Sequence, residues 1–251
     1  MAAKHRKIPA IIHESDMTPG LANRLCIPSA TKVCCNFPET VAHLPSEKAV
    51  LTGTPIREEL LSGNANVARE FTGFAADKPV ILIIGGSLGS IVVNDAIRDV
   101  LPQLLEKFQI IHLCGKDKLD ESLKDTSGYV QYEYIKEELA DLFALADIVV
   151  SRAGANAICE ISALEKPNLL IPLSAKASRG DQILNARSFE QLGYSKVIEE
   201  EELTNEVLVE AINALYDNRQ TYIEAMKNSE YPNSIETIVQ LIETTLCNHK
   251  N

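Results

Sequence analysis

The residues best suited to chemistry in this chain lie in a glycine-rich segment at positions 85–90, which reads GGSLGS. The segment follows the apolar run 80–84 and precedes apolar positions that recur at helical spacing. Glycines let the backbone approach a phosphate closely, and the free N–H groups at the start of a helix point toward such an anion. Ser87 adds a hydroxyl donor. The pattern predicts a phosphate site, although tight strand-to-helix turns also use glycine for steric reasons alone.

A second turn of similar form follows the apolar residues 148–150. Residues 151–155 make the turn, and a helix is predicted to follow it. Gly154 permits close approach of a ligand, and Glu160 lies about one and a half turns further along that helix. A carboxylate at this position is suited to accept hydrogen bonds from two vicinal hydroxyls, as on a ribose. The alternative is a glutamate that faces solvent on an amphipathic helix.

A polar segment at residues 178–186 follows the next predicted strand. Its Gln182 is able to donate to and accept from sugar hydroxyls, or it is an ordinary polar residue at the start of a helix. In an open parallel sheet, ligands bind at the carboxyl ends of the strands. Because all three segments follow strands, we expect them to meet at one edge of the sheet around a single ligand.

The elements that must position these segments alternate regularly along the chain. Apolar runs predict strands at 80–84, 109–114, 129–132, 148–151, 168–171 and 195–198. Helices are predicted at 57–74, 91–107, 116–124, 137–144, 155–164, 182–192 and 204–217. This alternation is typical of an α/β fold, a Rossmann-like doubly wound parallel sheet with helices on both faces.

The first 52 residues hold only two or three further strands, in the runs 7–13, 31–35 and 49–52. That number is too small for a second doubly wound domain. A last helix is predicted to begin at Asn233 or Ser234, which are good capping residues. The sequence therefore predicts one complete domain together with part of another.

The composition excludes several classes of protein. A hydrophobic fraction of 45% and a charged fraction of 24% are those of a soluble globular chain that can bury a core. A formal net charge of −11 argues against a nucleic-acid-binding protein, which needs a basic face. No run of residues is apolar enough to span a membrane, and no signal peptide is visible.

The cysteines and histidines give no sign of a metal site or a cofactor. The six cysteines form no CxxC pair, and we interpret them as reduced, buried thiols of a cytoplasmic protein. The five histidines are scattered. His13 and Glu14 begin like a zinc-protease motif, but Met17 stands where the second histidine would be.

Taken in order, these motifs resemble the MurG family, the UDP-N-acetylglucosamine transferases that convert lipid I to lipid II in peptidoglycan synthesis. The resemblance runs through IPAIIHESDMTPGLANR, TGTPIR, IIGGSLGS, ADIVVSRAGANAICEISALEKPNLLIPL and GDQILNA. It implies the carboxyl-terminal half of a two-domain, B-type glycosyltransferase, with residues 55–232 as the domain that binds the nucleotide sugar. Residues 1–54 are then expected to be a remnant of the acceptor domain with its linker, and residues 233–251 a helix that packs back on that remnant.

The resemblance implies roles at the first turn and around the nucleotide. Ser87, with Gly86 and Gly89 beside it, is expected to face the diphosphate. Arg57, in TGTPIR, is expected to contact the donor nucleotide; the alternative is a solvated arginine at a helix start. The backbone of Ile135, in YEYIKEEL, is expected to bracket uracil, although its side chain alone would indicate a core residue.

Further implied roles concern the ribose and the sugar. Glu160 is expected to bind the ribose hydroxyls, and Gln182 the hydroxyls of the sugar. Asp16 stands near the sugar, where many relatives have asparagine; an aspartate still accepts hydrogen bonds but does not donate them. The rest of the implied donor-binding turn consists of Gly154, Ala155 and Asn156.

The resemblance fails at the start of the chain. Family members carry a loop G-G-T-G-G-H whose histidine is assigned as the base, and the sequence has no such loop, so the catalytic residue stays unassigned. We expect little or no turnover by this chain alone, and exposed apolar surface in residues 1–52 that favours self-association. The implied partners are UDP-N-acetylglucosamine and lipid I. The implied location is cytoplasmic, peripheral on the inner face of the plasma membrane.

Three other functions stay open at this point. One is a glycolipid glycosyltransferase of the same fold, and another is a non-catalytic subunit that binds a nucleotide sugar. The third is a dehydrogenase-like dinucleotide binder, although GGSLGS does not keep the spacing G-x-G-x-x-G of that class.

Overall fold

Parallel strands form the framework of the residues that the computed structural model describes, which are 2–86, 89–229 and 234–250. Most of the strand residues are apolar or β-branched, types that suit a buried pleated surface. The strands are β1 (Ile11–Glu14), β2 (Lys32–Cys35), β3 (Ala49–Leu51), β4 (Val80–Ile84), β5 (Gln109–Leu113), β6 (Tyr129–Tyr132), β7 (Ile148–Ser151), β8 (Asn168–Leu170) and β9 (Ser195–Val197).

Helices connect the strands. The α-helices are α1 (Ala2–His5), α2 (Leu21–Cys26), α3 (Pro38–Val41), α4 (Ala65–Thr72), α5 (Ile91–Asp99), α6 (Leu101–Lys107), α7 (Leu139–Leu145), α8 (Ala155–Ala163), α9 (Asp181–Gln191), α10 (Asn205–Asp217), α11 (Arg219–Lys227) and α12 (Ser234–Lys250). Short 3-10 turns lie at Ile27–Ser29, Glu58–Ser62, Glu121–Leu123 and Glu200–Glu202.

The chain divides into two compact units, one of residues 1–56 with 229–251 and the other of residues 57–228. In the first unit, β1, β2 and β3 form a parallel sheet in that order. Its small core contains Val33, Cys35 and Leu44. The acceptor and donor roles that the sequence suggests for the two parts stay predictions.

The second unit contains a parallel sheet with strand order β6-β5-β4-β7-β8-β9. Numbered from β4 as the first strand, this order is 3-2-1-4-5-6, the order of a doubly wound nucleotide-binding fold. The predicted α/β class is therefore confirmed, with strands in all six predicted positions. After β4, the strands β5 and β6 are added on one side and β7 to β9 on the other, so the order of strand addition reverses between β4 and β7. Such folds bind their ligands beside that reversal.

Both faces of this sheet are buried, because alternate residues of a strand point to opposite faces. Ile81 and Ile83 pack on one side in a cluster that includes residues of α5, α6 and α10. Val80 and Leu82 pack on the other side, in a cluster that includes residues of α4, α7 and α8. The strand interiors are therefore apolar, and the polar candidate residues lie in the segments that follow the strands.

Several predicted elements differ from the structure. The predicted helix 91–107 is two helices, because Pro102 in the first turn of α6 has no N–H to continue the ladder of α5. The predicted helix 116–124 is wrong: Asp117 has φ 57°, and the Asp120 side chain accepts from the backbone of Ser122, so only a 3-10 turn forms. Helix α11 lies where no helix was predicted.

The interpretation of the cysteines is right in part. Cys34, Cys35 and Cys114 are buried, and burial raises the pKa of each thiol. Cys26 and Cys247 are exposed, contrary to the prediction, because they lie on the solvent sides of α2 and α12. Every cysteine of the chain is a free thiol.

Candidate nucleotide-sugar site

The two predicted glycine turns begin side by side. In the register of β4 and β7, Ile84 is paired with Ser151, and the backbone N–H of Arg152 donates to the carbonyl of Ile84 at 3.4 Å. The turns therefore leave neighbouring strands at the same edge of the sheet, at the reversal of strand order. This is the position at which a doubly wound sheet leaves a crevice for a ligand.

The first turn, residues 85–90, is shaped by its glycines. Gly86 and Gly89 have φ of 88° and 68°, and the N–H of Gly89 donates to the carbonyl of Gly86 at 2.9 Å. A Cβ on Gly89 would lie 2.0 Å from the carbonyl oxygen of Cys114, so only glycine fits there. Ser90 then caps α5 by accepting from the N–H of Val93. Ser87, the predicted diphosphate donor, lies outside the described residues.

The second turn, residues 152–154, has a glycine that the fold itself does not require. Gly154 has φ −66° and ψ 133°, which any residue adopts, and a Cβ there would meet nothing within 4 Å. Ala155 behind it is buried and begins α8, and Asn156 is exposed. The space next to Gly154 is therefore free for a ligand.

Arg152 connects several segments at this edge of the sheet, a role that the sequence did not predict. Its guanidinium is buried and donates to the carbonyl oxygens of Ile171 and Pro172 at 3.0 and 3.2 Å and to Oγ of Ser90 at 2.6 Å. It also forms an ion pair with Glu200. One buried cation thus connects the ends of two strands to the cap of α5. The signal in the sequence was an arginine placed directly after a buried strand.

Glu200 extends this network to the next loop. Its second carboxylate oxygen, Oε2, accepts from the backbone N–H of Ser174 at 3.0 Å. The hydroxyl of Ser174 donates to Glu201 at 2.6 Å, which lowers the pKa of that carboxyl. The loop after β8 is therefore held by the acidic turn that follows β9.

Glu160 lies on α8 as predicted, and it has a partner that the sequence did not indicate. Nε of Arg57 donates to Oε1 of Glu160 at 3.1 Å, although the residues are 103 positions apart. The side chain of Glu160 is 21% exposed and that of Arg57 is 56% exposed. Two predicted donor-site residues thus meet, and the carboxylate stays open to solvent for a further hydrogen bond.

Gln182 lies in the first turn of α9, beside the end of β8. Its side-chain oxygen accepts from the backbone N–H of Leu173 at 3.0 Å, so the side-chain NH2 group is the donor that it offers a ligand. Asn185, one turn later, donates to the carbonyl of Ala153 at 3.3 Å. The start of α9 is therefore fixed against the second glycine turn.

Two further predicted residues are Ile135 and Asp16. Ile135 follows β6, and its half-buried side chain packs against the core that contains Leu82 and Leu142. Asp16 lies in the first unit, in a loop held by the buried Glu14, which accepts from the N–H groups of Asp16 and Gly20 at 3.1 and 2.9 Å. A role for Asp16 at the sugar stays a prediction.

The described residues contain no group of three or more His, Cys, Asp or Glu side chains able to hold a metal ion. Within the same residues, no helix has both the length and the apolar character needed to cross a bilayer.

Comparison with known proteins places this chain among glycosyltransferases. Residues 80–242 match the model of the glycosyltransferase family 28 C-terminal domain. The chain is 67% identical over 243 residues to the UDP-N-acetylglucosamine--N-acetylmuramyl-(pentapeptide) pyrophosphoryl-undecaprenol N-acetylglucosamine transferase of Lachnoclostridium phytofermentans. It is 59% identical to the enzyme of that name from Lachnospira eligens. The matches cover 97% of this chain and 68% and 69% of those relatives, so the chain spans about two thirds of their length.

Solved structures agree on the fold. The crystal structure of Acinetobacter baumannii MurG matches 97% of this chain and 69% of its own, with a TM-score of 0.74 and 30% identity. The calicheamicin glycosyltransferase CalG4 matches with a TM-score of 0.67 at 12% identity, which shows a shared fold only. The fold and the family match identify a glycosyltransferase of the B type. Within that class, the chain belongs to the MurG family.

Proposed function

We propose that residues 57–228 bind UDP-N-acetylglucosamine, and that the chain serves in the transfer of N-acetylglucosamine to lipid I. The observation that carries this proposal is the meeting of a positive-φ glycine turn, an open Gly154 and a ribose-type carboxylate, Glu160, at the strand-order reversal. The names of the two relatives described above support the same donor and acceptor. They do not favour the glycolipid, subunit or dehydrogenase alternatives.

The donor is expected to lie across the carboxyl edge of the sheet. Its diphosphate faces the first turn and the amino-terminal end of α5, where backbone N–H groups and the helix dipole favour negative charge. The ribose hydroxyls donate to Glu160, and the side-chain NH2 group of Gln182 donates to a sugar hydroxyl. The backbone at Ile135 borders the uracil.

The reaction proposed for the family is a direct displacement. The muramyl hydroxyl of lipid I attacks the anomeric carbon, the bond from that carbon to the diphosphate oxygen breaks, and the configuration inverts. A base takes the hydroxyl proton, and no described residue is assigned that role. Positioned N–H groups stabilise the charge that develops on the leaving diphosphate. We further propose the peripheral inner-membrane location that the family resemblance implies.

Calorimetric titration with UDP-N-acetylglucosamine tests the donor site. Replacing Glu160 with alanine removes a charged acceptor and is expected to weaken binding by about 1.5–3 kcal/mol, roughly ten- to a hundredfold. Glu106→Ala is the matched control, since this exposed glutamate lies on α6, which leads into the opposite edge of the sheet. Undetectable binding by the unmodified chain, or equal affinity of the Glu160 variant, would contradict the proposal.

A further inference from the structure

A line of buried polar side chains lies behind the first glycine turn. The hydroxyl of Tyr129 is 2.9 Å from Nδ1 of His112, and Nε2 of His112 is 3.0 Å from Oδ1 of Asn94. Nδ2 of Asn94 donates to the carbonyl oxygen of Cys114 at 2.9 Å. The side chains of Tyr129, His112 and Asn94 are at least 98% buried, so water does not compete for these hydrogen bonds.

The direction of each hydrogen bond follows from the end of the line. Because the Asn94 nitrogen donates to a carbonyl, its oxygen faces His112 and must accept there. Nε2 of His112 therefore carries the proton, and Nδ1 accepts from the hydroxyl of Tyr129. Burial, and secondarily the charge of Arg98, lowers the pKa of His112 to about 3, so the ring is neutral at physiological pH.

The line ends on the atom that supports the glycine turn. The carbonyl oxygen of Cys114 is the closest atom to the position a Cβ would take on Gly89, at 2.0 Å, and Cα of Gly115 is 2.8 Å from the same point. Gly89 therefore rests directly on this carbonyl. A shift of the Cys114 carbonyl would move Gly89 and the turn that Gly86 and Gly89 close.

We propose that Tyr129, His112 and Asn94 are positioning residues that hold the Cys114 carbonyl and, through Gly89, the diphosphate-binding turn in its working shape. The proposal rests on the donor-binding function assigned to that turn. None of the three residues needs to contact the ligand. They act on the turn through three consecutive hydrogen bonds, which begin at Tyr129 on β6 and end at the carbonyl of Cys114.

Removing the Tyr129 hydroxyl breaks the first hydrogen bond of the line without changing any charge. Nδ1 of His112 is then buried without a donor, and the ring loses one of the two hydrogen bonds that fix its position. Nε2 still donates to Asn94, but from a ring that is held less firmly, so Asn94 in turn fixes the carbonyl of Cys114 less firmly. The turn loses part of its support although the substitution lies on a different strand.

The test compares Tyr129→Phe with Tyr194→Phe, which removes a hydroxyl from another buried tyrosine of the same unit. Three measurements are made: the nitrogen NMR shifts of His112, the hydrogen exchange of the 85–90 segment without ligand, and the affinity for UDP by calorimetry. We expect Tyr129→Phe to shift the Nδ1 signal of His112, speed exchange in the segment and weaken UDP binding about three- to tenfold. Tyr194→Phe is expected to leave all three within twofold.

A second variant separates this proposal from a general loss of stability. Asn94→Ala removes the last hydrogen bond, so adding Tyr129→Phe to it should weaken UDP binding no further. Additive losses, or unchanged exchange and affinity in Tyr129→Phe, would overturn the proposed coupling. If the unmodified chain binds no UDP but Tyr129→Phe still shifts the Nδ1 signal of His112 and speeds exchange, the donor function fails and the positioning of the turn stands.

Discussion

The two glycine turns at the carboxyl edge both connect a buried strand to a helix, yet they are held in place by different forces. The first is fixed by shape: Gly89 presses on the Cys114 carbonyl, and neutral hydrogen bonds from Asn94 and His112 support that contact. The second is fixed by charge, since the buried Arg152 beside Gly154 pairs with Glu200. A glycine in a strand-to-helix turn therefore has two distinct uses, one for the fold and one for the ligand.

This difference separates the structural role of each turn from its binding role. The first turn cannot accept a side chain at Gly89, so its stability and its ligand affinity should change together. The second has open space at Gly154, so its stability should be independent of that residue. A substitution at Gly89 is expected to lower both stability and ligand affinity, whereas a substitution at Gly154 is expected to lower ligand affinity alone.

The largest expected effect lies in the charged turn. Glu200→Ala leaves the guanidinium of Arg152 buried without its counterion, because the two side chains are only 13% and 10% exposed. Breaking such a pair is expected to lower the free energy of unfolding by about 3–5 kcal/mol, measured by urea denaturation. Glu202→Ala, an exposed neighbour in the same 3-10 turn, is the control. Equal stability of the two variants would show that charge does not hold this turn.

The next effect compares the two glycines directly. Gly89→Ala places a Cβ against a carbonyl at φ 68° and is expected to cost about 1–3 kcal/mol of stability together with donor affinity. Gly154→Ala should keep or raise stability, by about 0.4–1 kcal/mol, yet weaken donor binding. Denaturation and calorimetry on both variants check this. A destabilised Gly154→Ala, or one with full affinity, would remove the distinction between the turns.

The support of the first turn by His112 predicts a pH dependence of stability. The folded-state pKa of His112 is about 3 against an ordinary value of 6.5, so the unfolded chain binds the proton more readily. Stability from this group is complete above pH 6.5 and falls as the pH drops toward 3, by about 1.4 kcal/mol per pH unit. Comparing His112→Gln with the unmodified chain isolates this slope. Parallel curves for the two proteins between pH 6 and 4 would refute the assignment.

The smallest expected effect concerns the exposed ion pair of Arg57 with Glu160. Because the Arg57 side chain is 56% exposed, Arg57→Ala should change the free energy of unfolding by about 1 kcal/mol or less. Its effect on donor affinity should weaken as salt is raised, since exposed charges are screened. Titrations at low and high salt measure this. A loss of affinity that is independent of salt would contradict an electrostatic role of Arg57 at the donor site.

The sequence was sufficient to predict the arrangement of the sheet. Apolar runs such as 80–84 and 148–151 are unambiguous because both faces of a parallel sheet are buried. It was insufficient where local chemistry overrides periodicity. Pro102 divides one predicted helix, and Asp117 and Asp120 favour turns over the helix predicted at 116–124.

Within the candidate site, the glycines, Glu160 and Gln182 were predicted because each lies in the turn or helix that follows a strand. It did not identify the partners that hold them. Arg57 and Glu160 are 103 residues apart, and Asn94 meets His112 across 18, so no local spacing links these pairs. Arg152 was overlooked because a charged residue beside a glycine indicates an exposed loop, whereas the fold buries it.

The most direct measurement is a crystal structure of this chain soaked with UDP-N-acetylglucosamine. The account predicts the diphosphate at the turn 85–90, the ribose hydroxyls within hydrogen-bond distance of Glu160, and the sugar beside Gln182. A donor bound at any other surface, or a site at this edge that stays empty at saturating concentration, would contradict it.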